Sequence, residues 1–320
     1  FEDLAQQVGI DFQYVNGADP SRVGTRIYEV DGGGVGILDY DADGWPDIYL
    51  TQGSDWPPDP DQDRYFDRLF RNLGDGRFID VTEQAGLREN GFGQGVAIGD
   101  YNNDGFPDIF VGNLGANRLY RNRGDGTFEN VTLSAGIDSA VWTSSAAFAD
   151  LNGDTFPDIY EVNYLRDDER MFDRVCPDKE GNVRICPPLS FDAEQDCLYV
   201  SLGDGTFREC GKEAGIHAGD GKGLGIVVAD FDLSGKLSVF IGNDVVENFY
   251  FYNETAERGG PLKLTNQAIV RGLAFSEDGH AQACMGVAAG DANSDGLLDM
   301  FVANFYREPN CLYVQQPDGS

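Results

Sequence analysis

The chain is poor in histidine and in basic residues, and it has no long apolar run. It contains two histidines, and Lys and Arg number 23 against 55 Asp and Glu, which gives a net charge of −32. Such a charge disfavours nucleic acid and anionic membranes as partners, because their binding needs a basic patch that releases counterions from phosphates. No apolar run approaches the roughly 20 residues of a membrane-spanning helix, so we expect no transmembrane segment. With so few histidines, a zinc site or a Ser-His-acid triad is not expected.

The six cysteines form an even set, which is typical of proteins from an oxidising compartment. We therefore expect a secreted or extracellular protein, and a periplasmic or cell-surface location is also open. Six cysteines allow 15 pairings. Two of them flank a predicted hairpin turn, Gly203-Asp204-Gly205, and should face each other on adjacent strands, while two others bracket a charged insertion. The predicted pairs are Cys197 with Cys210, Cys176 with Cys186, and Cys284 with Cys311; free buried thiols are the alternative.

Five nine-residue segments place oxygen-bearing side chains at alternate positions. Side-chain oxygens at positions 1, 3 and 5, a turn-forming Gly at position 6 and a carboxylate at position 9 surround a hard cation, as the opening of an EF-hand loop does. The pattern predicts a repeat protein built around about four calcium ions. The predicted side-chain ligands of the four full copies are Asp39, Asp41, Asp43 and Asp47; Asp100, Asn102, Asp104 and Asp108; Asp150, Asn152, Asp154 and Asp158; and Asp291, Asn293, Asp295 and Asp299.

Each loop lies between two short apolar runs, and two further predicted strands follow, joined by a Gly-Asp-Gly turn in several copies. The run before the loop is rich in Gly and Ala, which suits a crowded inner strand. Four antiparallel strands per unit, repeated radially, form the blade of a β-propeller. We therefore predict an all-β fold, with residues 1–320 forming a single β-propeller domain of five blade-sized repeats. A solenoid is the alternative, although solenoid repeats are usually shorter.

The loops start 50 to 80 residues apart, so the extra residues must lie in insertions. The longest insertion covers about residues 164–196 and carries two cysteines, and another runs from Gly53 to Asp67. Long inserts on a rigid scaffold often carry binding sites, although they can also merely cover an edge.

These residues resemble the FG-GAP or VCBS repeat family, in particular the secreted bacterial ASPIC/UnbV proteins related to cartilage acidic protein. The resemblance covers nearly the whole chain, whereas integrin α-chain propellers share the calcium loop but match less well elsewhere. Members of the family commonly have seven blades. We therefore expect either a five-bladed ring or part of a larger one that another chain or a missing C-terminal region completes. The resemblance rests on Asp31-Gly32-Gly33-Gly34-Val35, on strands of the form Asn-x-Leu-Tyr-Arg-Asn, and on Asp278-Gly279-His280-Ala281-Gln282-Ala283 before Met285-Gly286.

The resemblance implies calcium-stabilised recognition or adhesion outside the cell. It also implies that backbone carbonyls at position 7 join the ligands, namely those of Trp45, Phe106, Phe156 and Leu297. The third loop departs from the pattern with Thr155 at position 6, where we expect a strained turn. The fourth loop keeps Asp230 and Asp232 but has Ser234, Lys236 and Ser238 at positions 5, 7 and 9, so we expect a weak or empty site there.

The two ends of the chain resemble parts of one blade. Phe1-Glu2-Asp3-Leu4 is similar to Phe78-Ile79-Asp80-Val81 and predicts a fourth strand, while Cys311-Leu312-Tyr313-Val314 predicts a third strand. Joined, the two ends would complete a blade and leave no free sheet edge.

Three functions are compatible with these features. The first is a calcium-binding module for adhesion, scaffolding or recognition of a protein or glycan partner. The second is a calcium-dependent polysaccharide lyase that uses an axial cleft, with His280 or a tyrosine as base. The third is a self-assembling subunit of a surface structure.

Overall fold

The computed structural model describes residues 2–59, 61–62, 64–166 and 173–316, and it is almost entirely β-structure. Within these ranges, one four-residue α-helix, Gly211–Ala214, and two 3-10 helices, Ile27–Val30 and Pro188–Ser190, accompany the strands. None of the described helices is long and apolar enough to cross a bilayer. The predicted all-β class is confirmed.

The strands form antiparallel blades in which strands adjacent in sequence pair, with a predicted calcium loop between the first two. Blade 1 contains β1 (Val35–Leu38), β2 (Asp47–Leu50), β3 (Arg68–Asn72) and β4 (Phe78–Asp80). Blade 2 contains β5 (Gly93–Gly99), β6 (Asp108–Ala116), β7 (Arg118–Asn122) and β8 (Phe128–Asn130). Blade 3 contains β9 (Ala140–Ala149) and β10 (Asp158–Asn163), then an inserted hairpin of β11 (Cys176–Pro177) and β12 (Val183–Arg184), then β13 (Cys197–Ser201) and β14 (Phe207–Glu209).

Blade 4 has four strands and blade 5 has three among the described residues. Blade 4 contains β15 (Gly223–Ala229), β16 (Ser238–Asn243), β17 (Phe249–Asn253) and β18 (Leu264–Asn266). Blade 5 contains β19 (Cys284–Gly290), β20 (Asp299–Asn304) and β21 (Cys311–Tyr313). These sets of strands are blades of the β-propeller type, as the repeat pattern predicts, and the end of β6 also pairs with the start of β9, Leu114 with Trp142. Closure of the blades into one ring stays a prediction.

The chain divides into two compact units. The first comprises Phe1–Thr143 and Asp167–Ser190, and the second comprises Ser144–Arg166 and Phe191–Ser320. In the first unit, Tyr49 and Leu69 of blade 1 pack on Ile109 and Val111 of blade 2. In the second unit, the faces of blades 3 and 4 and of blades 4 and 5 form two further apolar cores.

Glycine in the first strands admits the neighbouring blade at close range. A Cβ atom at Gly36 would lie 2.8 Å from Cδ1 of Ile98, and one at Gly225 would lie 2.5 Å from Cγ2 of Val287. Because real Cβ contacts are longer than this, a larger residue at either position would have to displace the neighbouring side chain. The Gly-rich and Ala-rich composition of the first strands therefore follows from blade packing.

An Asp or Asn side chain precedes the third strand of every blade and accepts a backbone N–H from the end of the second strand. This contact closes the connection between the second and third strands, and our sequence reasoning did not find it, although the residue type recurs at a constant offset. The five acceptor and donor pairs, 2.6–3.0 Å apart, are Asp67 and Gln52, Asn117 and Asn113, Asp196 and Asn163, Asn248 and Asn243, and Asn310 and Asn304.

One of the three predicted disulfides is present, between Cys176 and Cys186 across the inserted hairpin. The pair Cys197 and Cys210 is wrong, and both side chains are free thiols. Tyr199 is paired with Glu209 across the two strands, so Cys197 shares their face of the sheet while Cys210, one residue beyond Glu209, lies on the opposite face. A hairpin turn between two cysteines therefore does not bring them together when their positions differ in parity.

The pair Cys284 and Cys311 is also wrong. Both residues pair with the strand between them, Cys284 with Asn304 and Cys311 with Val302. Two strand spacings separate their backbones by about 10 Å, whereas a disulfide needs Cα atoms within about 7 Å.

The N-terminal segment repeats the turn that follows a fourth strand, but the described residues before that turn form no strand. Ile10 N–H donates to the Ala5 carbonyl at 2.8 Å, as Leu87 N–H donates to the Thr82 carbonyl at 3.0 Å. The expected strand at residues 1–4 is absent from Glu2–Leu4, and Phe1 lies outside the described residues. The similarity between the two segments therefore reflects a shared turn.

The acceptor before β3 predicts an unusual pH dependence. Asp67 is buried, with its oxygens 2.6 Å from Gln52 N and from the Tyr49 hydroxyl, and burial followed by the charge of Glu89 raises its pKa well above the ordinary value. A carboxyl whose pKa is higher in the folded state binds more protons there, so its contribution to stability is lost as pH rises above about 4.

We expect Asp67→Asn to remove part of this loss, because asparagine serves at the same place before β7 and β17. Urea unfolding at pH 5 and pH 8 should show a smaller stability difference than in wild type. Asn117→Asp is the matched reciprocal variant and should enlarge the difference. An unchanged pH dependence in Asp67→Asn would contradict this assignment.

Every calcium-type loop contains two residues with left-handed backbone. Position 6 is Gly in four loops, but in the third loop Thr155 has a φ of 83°. A β-branched residue in this region is strained, as the sequence predicted. Position 4 is also left-handed, a feature that sequence reasoning missed, with Ala42, Asn103, Gly153, Leu233 and Ser294 at this place.

We expect Thr155→Gly to raise the free energy of unfolding by about 1 kcal/mol, because glycine adopts this conformation without strain. Chemical denaturation measures the change. Gly105→Thr, the reciprocal change in the second loop, should be destabilising by a similar amount. A neutral or destabilising Thr155→Gly would show that the turn is not strained.

Candidate metal centres

Each loop is shaped by its first aspartate. The two carboxylate oxygens at position 1 accept the backbone N–H groups of positions 5 and 6; in the first loop, Asp39 accepts from Asp43 at 3.0 Å and from Gly44 at 2.9 Å. The other four loops repeat both contacts at 2.8–3.0 Å, including the degenerate fourth loop at Asp230. The chain therefore turns back on its own carboxylate, which brings positions 1, 3 and 5 together.

The aspartate at position 9 ties the loop to the third strand. In the second loop, Asp108 accepts Tyr101 N–H at 3.1 Å and Asn122 N–H at 2.7 Å, and the side chain is fully buried. Burial raises the pKa of this carboxyl to about 7, against the two hydrogen bonds. The same pair of contacts occurs at Asp47, Asp158 and Asp299. Position 9 thus has a structural role that the ligand pattern alone does not reveal.

The first loop concentrates the most negative charge. One carboxylate oxygen from each of Asp39, Asp41 and Asp43 lies within 4.8 Å of the other two. Oδ1 of Asp41 is buried and has no hydrogen-bond partner. An orphaned buried oxygen beside two further carboxylates is a donor set that suits a hard cation such as calcium. The residues of this loop therefore fit the ion that the sequence pattern implies.

In the second, third and fifth loops an asparagine replaces the aspartate at position 3. In the second loop, Asn102 Nδ2 donates to Asp104 Oδ2 at 2.8 Å, and the other two loops repeat this contact at 2.9–3.0 Å. The amide lowers the repulsion between the carboxylates and still carries an oxygen that can face a cation after rotation of the side chain. These three loops could each hold a cation with their Asp and Asn side chains.

The fourth loop keeps its turn but lacks the aspartate at position 9. Ser238 Oγ accepts Asn253 N–H at 3.2 Å, which replaces one of the two contacts made by aspartate elsewhere. The ammonium of Lys236 donates to the Thr255 carbonyl at 2.6 Å, and a hydrogen bond from Tyr252 engages Asp232. The loop thus stays folded with two carboxylates fewer than the first loop.

The aromatic side chains at position 7 pack on the Gly-Asp-Gly turns. A Cβ atom at Gly74 would lie 2.6 Å from Trp45 Nε1, and one at Gly124 would lie 2.5 Å from the Phe106 ring. A side chain larger than glycine would therefore collide with the aromatic ring, and the half-exposed Trp45 covers the turn of its own blade. Its backbone carbonyl stays the predicted ligand.

Both histidines are exposed and lie outside the helices and strands. Ser276 N–H donates to the His280 carbonyl at 3.0 Å, so His280 closes a short turn before β19.

Comparison with known proteins supports the repeat assignment. Residues 39–111 and 100–161 match the model of the FG-GAP-like repeat. Human cartilage acidic protein 1 is 48% identical over 46 residues, which are 14% of this chain and 7% of that protein.

Two solved structures show a weaker likeness. An Agrocybe aegerita lectin, described as recognising non-reducing terminal N-acetylglucosamine, is 17% identical with a TM-score of 0.42, over 85% of this chain and 60% of that chain. The V. cholerae biofilm matrix protein Bap1 is 11% identical with a TM-score of 0.44, over 91% of this chain and 38% of that chain. At these TM-scores the likeness carries no argument about function. The match to the family model thus identifies the carboxylate loops of residues 39–161 as those of FG-GAP-like repeats.

Proposed function

We propose that this protein is an extracellular recognition or adhesion module whose blade loops bind calcium and whose inserts contact a protein or glycan partner. The observation that carries the calcium part is the first loop, with three converging carboxylates and an orphaned buried oxygen. Four bound divalent ions would reduce the net charge from −32 to about −24. The disulfide between Cys176 and Cys186 supports an oxidising location. The short match to cartilage acidic protein 1 supports a place near that family.

The partner-binding part rests on three segments of the first unit that lie together. We call residues 17–30, the described residues of 53–67, and 173–190 the insert surface. Arg22 NH2 donates to the Trp56 carbonyl at 3.4 Å, and the rings of Trp56 and Tyr28 have centroids 5.1 Å apart. A Cβ atom at Gly24 would lie 2.5 Å from Val183 of the inserted hairpin. Two segments that the sequence identified as separate inserts therefore meet on the N-terminal segment.

The insert surface exposes apolar side chains. Val23 is 72% exposed and Leu189 is 65% exposed, beside Val183 at 40%. Two of these side chains, Val183 and Leu189, belong to the disulfide-bonded insert, and Val23 precedes Gly24, which packs on Val183. Exposed apolar side chains of this kind are available for contact with a partner. The surrounding fold is stabilised elsewhere, so these side chains are available to a partner.

Calcium should raise the melting temperature by several degrees over that in chelator, because an ion that binds only the folded state adds about 2.7 kcal/mol at a concentration 100 times its Kd. Asp100→Asn and Asp230→Asn change the same position in an intact and in the degenerate loop, and both side chains make the same two backbone contacts. We expect only Asp100→Asn to reduce the calcium-induced shift. Equal melting temperatures of the wild type with and without calcium would refute the calcium part.

We expect the double variant Val23→Asp with Leu189→Asp to lose partner binding at an unchanged melting temperature, because both side chains are exposed. Binding to a panel of immobilised glycans and extracellular proteins, with calcium and with chelator, measures the effect. Leu133→Asp is the matched control, since Leu133 is 83% exposed and lies outside the insert surface. The same binding by both variants, or no calcium-dependent binding to any panel member, would count against the insert surface.

A further inference from the structure

One residue near the end of the third strand, or directly after it in blade 5, lies beside the calcium-type loop of its own blade, and its chemistry differs between blades. The next residue along the strand donates its N–H to position 9 of the loop, or to Ser238 in blade 4, so the backbone places this residue alike in each blade. We call it the loop-facing residue. It is Arg71, Arg121, Val200, Tyr252 and Val314 in blades 1 to 5.

In blade 1 this residue forms ion pairs with the loop itself. Arg71 Nε lies 2.6 Å from Asp41 Oδ2, and NH2 lies 2.9 Å from Asp43 Oδ2. The contact of Nε with Asp41 does not have the geometry of a hydrogen bond, so it is an ion pair held by charge. Asp41 and Asp43 are two of the three converging carboxylates. The guanidinium therefore contacts the oxygens that a bound cation needs.

In blade 2 the equivalent arginine is held away from its loop. Arg121 NH2 lies 2.7 Å from Glu129 Oε2. Arg121 and Glu129 are cross-strand partners, and the corresponding partner of Arg71 is Ile79. Because isoleucine offers no charge, Arg71 turns to the loop, where Asp41 replaces Asn102 and adds a carboxylate. The difference between the two arginines thus follows from two local substitutions.

The remaining blades show the same position with other chemistry. Val200 is buried and lines a cleft together with Asn152 and Asp154 of the third loop, and it brings no charge. Tyr252 is hydrogen-bonded to Asp232 of the degenerate loop. Among blades 1 to 4, the loop-facing residue is therefore a cation in contact with its loop in blade 1.

We propose that Arg71 is a built-in counter-ion that competes with calcium for Asp41 and Asp43, so that the first loop takes calcium at higher concentrations than the loops of blades 2 and 3. The proposal rests on the calcium binding of the proposed function. With four carboxylates, the first loop is otherwise the most negative of the five, and more ligand charge means tighter calcium binding. Arg71 occupies two of the carboxylates that calcium needs and offsets one of the four negative charges of the loop when calcium is scarce. Blade 1 then fills last and responds to a change in calcium, while blades 2 and 3 stay filled.

The first loop can be observed separately because it alone has tryptophan at position 7. Terbium is a calcium analogue whose emission is excited by a nearby indole, so Trp45 reports binding at this loop. Terbium emission excited through tryptophan, and its displacement by calcium, gives the calcium affinity of the first loop in the full chain. Trp45→Phe identifies the part of the signal that belongs to this loop.

We expect Arg71→Gln to tighten calcium binding at the first loop about tenfold, because a unit charge a few ångströms from a divalent ion is worth about that factor even in water. Arg121→Gln is the matched control and should leave the first-loop signal unchanged. Arg71→Gln should also lower the melting temperature in chelator, where the carboxylates lose their counter-ion, and not at saturating calcium.

If the calcium affinity of Arg71→Gln is unchanged or weaker, the counter-ion proposal is overturned. The proposed function still stands in that case, provided that the wild type binds calcium. An equal gain in Arg121→Gln also overturns it, because the effect would then be general charge removal. If neither the wild type nor Arg71→Gln binds terbium or calcium, the calcium part of the proposed function fails with it. The strongest support would be calcium binding at the first loop in Arg71→Gln and none at that loop in the wild type.

Discussion

One buried carboxylate holding two backbone N–H groups is the contact on which each intact blade depends. Asp108 is the clearest copy, since one oxygen accepts from its own loop and the other from β7. The contact joins the loop to the third strand and places the third strand beside the second. Burial raises the pKa of the carboxyl to about 7, and the two backbone hydrogen bonds offset only part of that desolvation. Where Ser238 replaces the aspartate, one of the two contacts survives and the loop loses much of its charge.

The clustered carboxylates need compensation, and the blades supply it in different ways. An asparagine amide donates to the neighbouring carboxylate in the second, third and fifth loops. A guanidinium does so in the first loop. The fourth loop has fewer carboxylates, and the Tyr252 hydroxyl is hydrogen-bonded to one of them, Asp232. A repeat that looks uniform in sequence is therefore a set of sites with different electrostatics, and calcium affinity is the property in which they should differ.

The blade scaffold and the insert surface, which we propose as the recognition surface, are separate parts of the molecule. The loops and the Gly-rich first strands satisfy the packing of the blades, and their side chains are largely engaged with backbone groups. The insert surface depends instead on contacts among segments distant in sequence, such as Gly24 with Val183 and Arg22 with Trp56. The exposed Val23 and Leu189 lie on it, and they take no part in holding the blades together.

The sequence by itself determined the strand pattern, the loop turns and the strain at Thr155, because these depend on residues within one blade and on backbone preferences of single positions. The disulfide of the inserted hairpin was also predictable, since its cysteines bracket one short segment. The pairings of Cys197 with Cys210 and of Cys284 with Cys311 failed, because sheet face and strand order decide whether two thiols meet. The tertiary structure likewise decided that Arg71 contacts its loop while Arg121 does not, and that two inserts meet on the N-terminal segment. Such contacts depend on which side chain lies across a strand and on packing between distant segments, which spacing along the chain does not encode.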